Sequence, residues 1–282
     1  MRLNSITVIT VTRGRANLLG RALESVRKQD YPGPIRHLVV IDDCSSTLRY
    51  LEQNAKSDAV AWLLRKRRSC DERIPGRLGR LRNDGVGLAT TYWISFLDDD
   101  NEFHPNHLSS LMTAAALGEC SAAHSYRELL WPDGSPYLEP LFPWCSNETE
   151  AARIYEHLRH EKVFEPGLHI MRDRVDPLDH AHPIRFVDTS EWLLSKETAM
   201  RFPFPAECSL EDWAAMKTED DYLLEKMVSA RIPIACNGLA TLKYYLGGYS
   251  NSWLRRRFHW TKSADSGRNA VVKIGCSSGG PN

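Results

Sequence analysis

The 282-residue chain has no excess of charge of either sign, since Lys plus Arg and Asp plus Glu number 36 each. Wholesale electrostatic adhesion to nucleic acid or membrane is therefore not expected, and no nucleic-acid partner is assigned. No apolar run approaches the roughly 20 residues that span a bilayer, so no transmembrane segment is expected. The opening Met1-Arg2-Leu3-Asn4 runs straight into a strand-like segment, without a signal-peptide apolar stretch. The seven cysteines (Cys44, Cys70, Cys120, Cys145, Cys208, Cys236, Cys276) are odd in number and form no CxxC pair. That spacing indicates neither a zinc site nor a disulfide framework. Free thiols in a reducing compartment follow, and the chain reads as cytoplasmic. No internal repeat is visible, and oligomeric state leaves no trace.

What is present is an alternation of strand and helix signals. Residues 6–11 form a β-branched run suited to a strand buried on both faces. The turn Thr12-Arg13-Gly14-Arg15 follows, with Asn17 as the expected cap of a helix that stripes Leu19, Ala22, Leu23 and Val26. A second strand over 37–41 ends in Asp42-Asp43. The pattern repeats with a helix over 47–56 and a strand over 60–64. A loop carrying Lys66, Arg67, Arg68, Arg73 and Arg77 leads to a helix over 80–89. A fourth strand, 92–97, ends in Asp98-Asp99-Asp100. Both acidic clusters follow strands, where open α/β sheets bind ligands.

The second half is less regular. A helix is expected over 105–117, a strand over 121–130, and a strand over 191–194 with Ser195 capping a short helix. Residues 131–190 show no assignable pattern. A late helix over 218–230 carries the i,i+4 pairs Leu223/Met227 and Leu224/Val228. Past Trp253 the chain turns basic and then Gly/Ser-rich, and 261–282 reads as a disordered tail.

Three adjacent carboxylates after an apolar strand repel one another and lose hydration. A hard divalent cation, Mn²⁺ or Mg²⁺, compensates, taking one or two carboxylates plus phosphate oxygens and water. The plainer alternative is a solvated acidic turn that favours the following helix. Four segments then fall in order: Ile6-Thr7-Val8-Ile9-Thr10-Val11-Thr12-Arg13, Val39-Val40-Ile41-Asp42-Asp43-Cys44-Ser45, Arg82-Asn83-Asp84-Gly85-Val86, and Ile94-Ser95-Phe96-Leu97-Asp98-Asp99-Asp100-Asn101. Together they resemble the nucleotide-binding half of the family-two, GT-A-fold glycosyltransferases.

The resemblance implies an α/β, GT-A type nucleotide-sugar-binding fold, with a mostly parallel sheet flanked by helices. A donor half spans 1–115, and a less regular acceptor half spans 116–260. It implies base and ribose contacts from Thr10, Thr12, Arg13 and Asp43, with Asp42 the lesser of its pair. Arg80 or Arg82 reaches phosphate or ribose, a surface arginine being the alternative. Asp98 and Asp100 align with the DXD metal motif, with Asp100 the preferred ligand, and Asp99 shares the role or contacts ribose. A carboxylate suits the ring N–H of uracil, so a UDP-sugar is the first choice, and guanine stays open.

Thr218-Glu219-Asp220-Asp221 resembles the family's Glu-Asp motif, which makes Asp220 the base for an acceptor hydroxyl in inverting transfer. Thr218 with Asp221 also fits a capping box, and Glu211-Asp212-Trp213 is a competing match. His160, His169, His180 and His182 with Asp176 and Asp179 match no ligand spacing. Tyr244, Tyr245, Tyr249, Trp253 and Trp260 with Arg255-Arg256-Arg257 fit either a lid over the donor or core packing. Two rivals stand beside transfer: a sugar nucleotidyltransferase, and a non-catalytic sugar- or nucleotide-binding module. No glycine-rich phosphate loop favours the first, since Gly14 stands alone near the N-terminus.

Overall fold

Seven consecutive buried residues form the first strand, β1 (Ile6–Thr12), at the centre of the sheet. The computed structural model describes residues 4–55, 57–67, 74–175, 186–207, 209, 218–248 and 250–254. Helix α1 (Ala16–Arg27) returns across one face and buries Leu19, Ala22, Ser25 and Val26. Its N-cap is Arg15 rather than Asn17, and Arg15 makes no side-chain cap because a guanidinium has no acceptor for a helix N–H; its donors instead hold carboxylates. Next come β2 (Ile35–Asp42), α2 (Ser45–Asn54) and β3 (Val60–Arg65).

Helix α3 (Ile74–Leu88) begins well before residue 80, so Arg77 is helical and not in a loop. The reason lies in glycines that weaken the helical pattern in the sequence. A Cβ at Gly76 would stand 2.9 Å from the Ala206 carbonyl oxygen, and one at Gly79 would overlap that of Pro205. Here bare backbone is required for the 204–207 segment to lie against the helix.

Strand β4 (Trp93–Phe96) leads to the short β5 (Glu102–Phe103), α4 (His107–Leu117) and β6 (Ala122–Leu130). The unassigned stretch contains α5 (Glu148–His160), capped by Asn147, and β7 (Ile170–Met171). Helix α5 buries only Ala151 and Leu158, too thin a stripe to show in the sequence. A single 3-10 turn, Thr189–Glu191, precedes β8 (Trp192–Ser195), so Glu191 belongs to the turn and not to the strand. Ser195 caps α6 (Lys196–Arg201) as expected, and α7 (Glu219–Ser229) and β9 (Ile234–Tyr245) complete the described elements.

The strands run in the order β3-β2-β1-β4-β8-β6-β9-β5, with β7 paired to β6. From β3 to β4 every pairing is parallel. Strand β8 then joins β4 and β6 antiparallel, and β9 runs parallel to β6. The sheet is thus parallel on its N-terminal side and mixed beyond β4, because β8 enters in the reverse direction. Apolar side chains pack both faces, Ile9, Val40, Ile94 and Phe96 in one core and Ile6, Val8, Trp93 and Leu97 in another. Tyr244 is buried, with Trp253 packed against the same cluster. Tyr249, Arg255, Arg256, Arg257, Trp260 and 261–282 lie outside the described residues. Among the described residues no helix is long and apolar enough to cross a membrane.

Candidate active site

Parallel pairing brings the carboxyl ends of β1, β2 and β4 to one edge. Thr10 lies beneath it, its hydroxyl 2.9 Å from His37 Nε2, and burial pushes that imidazole down to about 3. At the end of β2, Asp42 is buried against Arg77 at 2.7 Å and Arg67 at 3.2 Å. Arg13 donates to the Asp42 carbonyl at 2.9 Å and lies 3.9 Å from its carboxylate. Asp43 adopts a left-handed φ of 43°, which turns it away from the strand. Its carboxylate meets Lys66 at 3.1 Å, and that contact holds it below the ordinary range. Asp43 therefore keeps more exposure than the arginine-bound Asp42. Arg80 sits half-buried on α3.

The acidic turn follows β4. Asp99 is fully buried and accepts from the Thr12 hydroxyl at 2.6 Å. Arg15 holds Asp99 and reaches Asp100 at 2.6 Å. Burial pushes Asp99 up to about 7, with Arg15 opposing and Asp100 and Asp98 adding to the rise. Asp100 is raised by burial too. Strand β9 grips the turn from the far side, since the Tyr245 N–H donates to Asn101 Oδ1 at 3.0 Å. A Cβ at Gly248 would stand 3.2 Å from Asp100 Oδ2, so the backbone beyond β9 passes close over the turn.

Asp98 is the turn's link to the second half. Its Oδ1 accepts from Arg82 at 2.8 Å, and the other arm of that buried arginine holds Glu219 at the start of α7. Burial works against the Arg82 charge, yet Asp98, Glu219 and Asp220 hold its pKa above the ordinary value. The three acids of α7 have separate tasks. Glu219 takes Arg82, and Asp221 accepts from the Thr218 N–H at 2.8 Å as the cap. Asp220 faces Thr189, whose hydroxyl and N–H both donate to it. Burial raises Asp220 well above the carboxylate range, Glu219 and Asp188 add to the rise, and Arg82 and Thr189 oppose it.

Of the residues expected from sequence, Thr12, Asp98, Asp99, Asp100, Arg82 and Asp220 join one connected network. Arg13 and Asp43 stand at its β2 side, and Thr10 is internal. Sequence reasoning missed Arg15, Thr189 and the buried group Arg127, Asp173, Asp188 and Glu191. Asp188-Thr189-Ser190-Glu191 carries a capping-box pattern that could have located the turn. Asp212, His180, His182, Asp176 and Asp179 lie outside the described residues. His160 pairs with Glu156 on α5, and His169 lies 4.0 Å from Glu128.

Residues 7–128 match the model of glycosyl transferase family 2. That segment is similar to the family. The chain is 31% identical over 106 residues to WcaA of Escherichia coli (strain K12), named a colanic acid biosynthesis glycosyl transferase. The alignment covers 37% of this chain and 35% of WcaA. It is 29% identical over 129 residues to the succinoglycan biosynthesis protein ExoO of Rhizobium meliloti (strain 1021), covering 46% of this chain and 35% of ExoO. The matched segments thus span about a third of each relative. The fold is similar to residues 1–349 of S. aureus TarS, solved also with UDP and with UDP-GlcNAc. There the TM-score is 0.53 at 15% identity, over 86% of this chain and 60% of that one. It is also similar to the Pyrobaculum calidifontis mannosyltransferase PcManGT in complex with GDP-Man and Mn²⁺, with a TM-score of 0.55 at 14% identity, over 90% and 61%. The matched segment holds the ends of β1, β2 and β4 and the acidic turn, and Asp220 lies beyond it.

Proposed function

We propose that this chain is a family-2 glycosyltransferase that transfers a sugar from a nucleotide-sugar donor to an acceptor hydroxyl, inverting the anomeric centre, with Asp220 as the base. The observation that carries this reading is the Arg82 bridge. It ties Asp98, in the turn after β4, to Glu219, next to Asp220 at the head of α7. Acids distant in sequence are thereby gathered at the edge where this fold binds ligands. The acceptor oxygen attacks the anomeric carbon as Asp220 takes its proton. The bond from that carbon to the phosphate oxygen breaks, and the nucleoside diphosphate leaves with the electron pair.

On this reading Thr12, Arg13 and Asp43 contact base and ribose, with Thr10 behind them; their position at the β1 and β2 end of the sheet edge supports it. A UDP-sugar is our first choice and a GDP-sugar the second, supported by the UDP, UDP-GlcNAc and GDP-Man of the similar structures. Asp98 and Asp100 would hold Mn²⁺ or Mg²⁺. Their side chains keep 32% and 17% exposure, and among the described residues no three His, Cys, Asp or Glu form a metal cage. That donor set suits a hard cation that takes its other ligands from phosphate and water. When bound, such a cation neutralises charge gathering on the departing diphosphate.

Melting curves with a panel of UDP-, GDP- and dTDP-sugars, with and without Mn²⁺, test the donor reading, because a ligand that binds only the native state raises Tm. A shift that requires both metal and one nucleotide class is expected, and no shift with any member would end the reading. Asp220→Asn should keep that shift while nucleotide release slows by ~10²–10⁴-fold. Normal turnover in this variant would transfer the role to Asp212.

A further inference from the structure

We propose that the 3-10 turn Thr189–Glu191 sets the base in register with the acidic turn, with Thr189 and Ser190 as positioning residues. This rests on Asp220 being the base. Two adjacent residues grip the two ends of the chemistry. The Thr189 hydroxyl donates to Asp220 Oδ1, and its N–H donates to Oδ2 at 3.3 Å. The Ser190 hydroxyl oxygen accepts the Asp98 N–H at 3.1 Å. Both side chains are buried, at 1% and 0% exposure, so water does not compete for these bonds.

The turn itself is locked. Asp188 Oδ1 accepts from the Ser190 N–H at 2.9 Å, and Glu191 accepts from the Asp188 N–H at 2.7 Å. Arg127 anchors Asp188 at 2.8 Å and Asp173 at 2.8 Å. Its guanidinium lies 4.8 Å from the Trp144 ring centre and 5.1 Å from that of Tyr244. The spacing between Asp220 and the acidic turn is thus set from the interior of the acceptor side.

The charges facing Asp220 are Glu219 on its own helix, Asp188 ahead of the turn, and Arg82 on α3. Burial and the two carboxylates favour the protonated acid, which cannot act as a base. The two Thr189 donors and Arg82 favour the ionised form, and the Thr189 pair also fixes the rotation of the carboxylate. Loss of the hydroxyl frees that rotation and lets the proton stay.

The test uses the full chain and measures nucleotide release from the UDP-, GDP- and dTDP-sugar panel with Mn²⁺, water serving as acceptor. Thr189→Val should lower kcat by roughly 10–100-fold, as loss of an orienting hydrogen bond commonly does. KM for the donor should stay within about 2-fold, since uniform binding is untouched. The acid limb of the rate profile should move to higher pH, and Thr189→Ser should restore most of the rate. Should Thr189→Val fail to fold by its melting curve, Thr189→Ala carries the same comparison. Ser190→Ala should raise the donor KM by loosening Asp98, and an unchanged KM removes Ser190 from the proposal. A Thr189→Val enzyme with wild-type kcat and pH profile, beside an inactive Asp220→Asn, overturns the positioning role alone. An active Asp220→Asn, or no release from any donor by the wild type, overturns the reading beneath it.

Discussion

A guanidinium that is 6% exposed and bonded to carboxylates on two elements leaves both uncompensated when it is removed. Arg82→Ala should therefore destabilise the chain by roughly 3–5 kcal/mol, the range for breaking a buried ion pair, as read by chemical denaturation. Arg82→Lys keeps the charge but loses the planar fork that reaches Asp98 and Glu219 together, so an intermediate loss is expected. Exposed pairs such as Arg27 with Glu24 or Arg153 with Glu150 contribute little by comparison, because solvent screens them. The residue type of Arg82 was readable as one that seeks oxygen-rich partners. Its partners here are carboxylates on distant segments, which no local spacing reveals. Arg15 was harder still, since an arginine beside Gly14 in a turn looks like any surface cation until the fold brings Asp99 and Asp100 beneath it.

Helix α3 offers a paired test at the scale of an element. Gly79→Ala puts a methyl group into the Pro205 carbonyl, and overpacking of this kind costs ~1–3 kcal/mol, more than helix propensity returns. Gly87→Ala, exposed and with nothing within 4 Å of the added carbon, should instead gain ~0.5–1 kcal/mol. Equal effects from both in a denaturation series would refute the close approach of 204–207. The same helix explains why the fold was only partly legible. Strands β1, β2 and β4 are buried β-branched or aromatic runs that announce themselves. The start of α3 and the whole of α5 hide because glycine or thin burial blurs their period. Strand β5 has two residues and exists only because β9 pairs with it, an interaction invisible to any window of sequence.

For the whole molecule, buried ionisable groups set opposing slopes of stability against pH. Burial raises Asp188 to about 6 and lifts Glu191 and Asp220 well above the carboxylate range. The native state holds these protons more tightly than the unfolded chain, so stability is lost as pH rises through the raised values. Burial drives His37 and His107 down to about 3, so below the ordinary imidazole value the unfolded chain binds protons that the native state refuses. Above the ordinary imidazole value the histidine contribution is complete and only the raised acids still act, so calorimetric Tm should decline from about pH 7 toward about pH 8.5, and a steady rise over that range would contradict this balance. One further property comes from the unbroken run of strands across both halves. A fragment ending after α4 would bare the flank of β4 that β8 now covers, presenting unpaired amides and carbonyls to the next copy. Severed there, residues 1–117 should self-associate, so replacing the rest of the chain with that of a relative means rebuilding a shared seam and not exchanging a cassette.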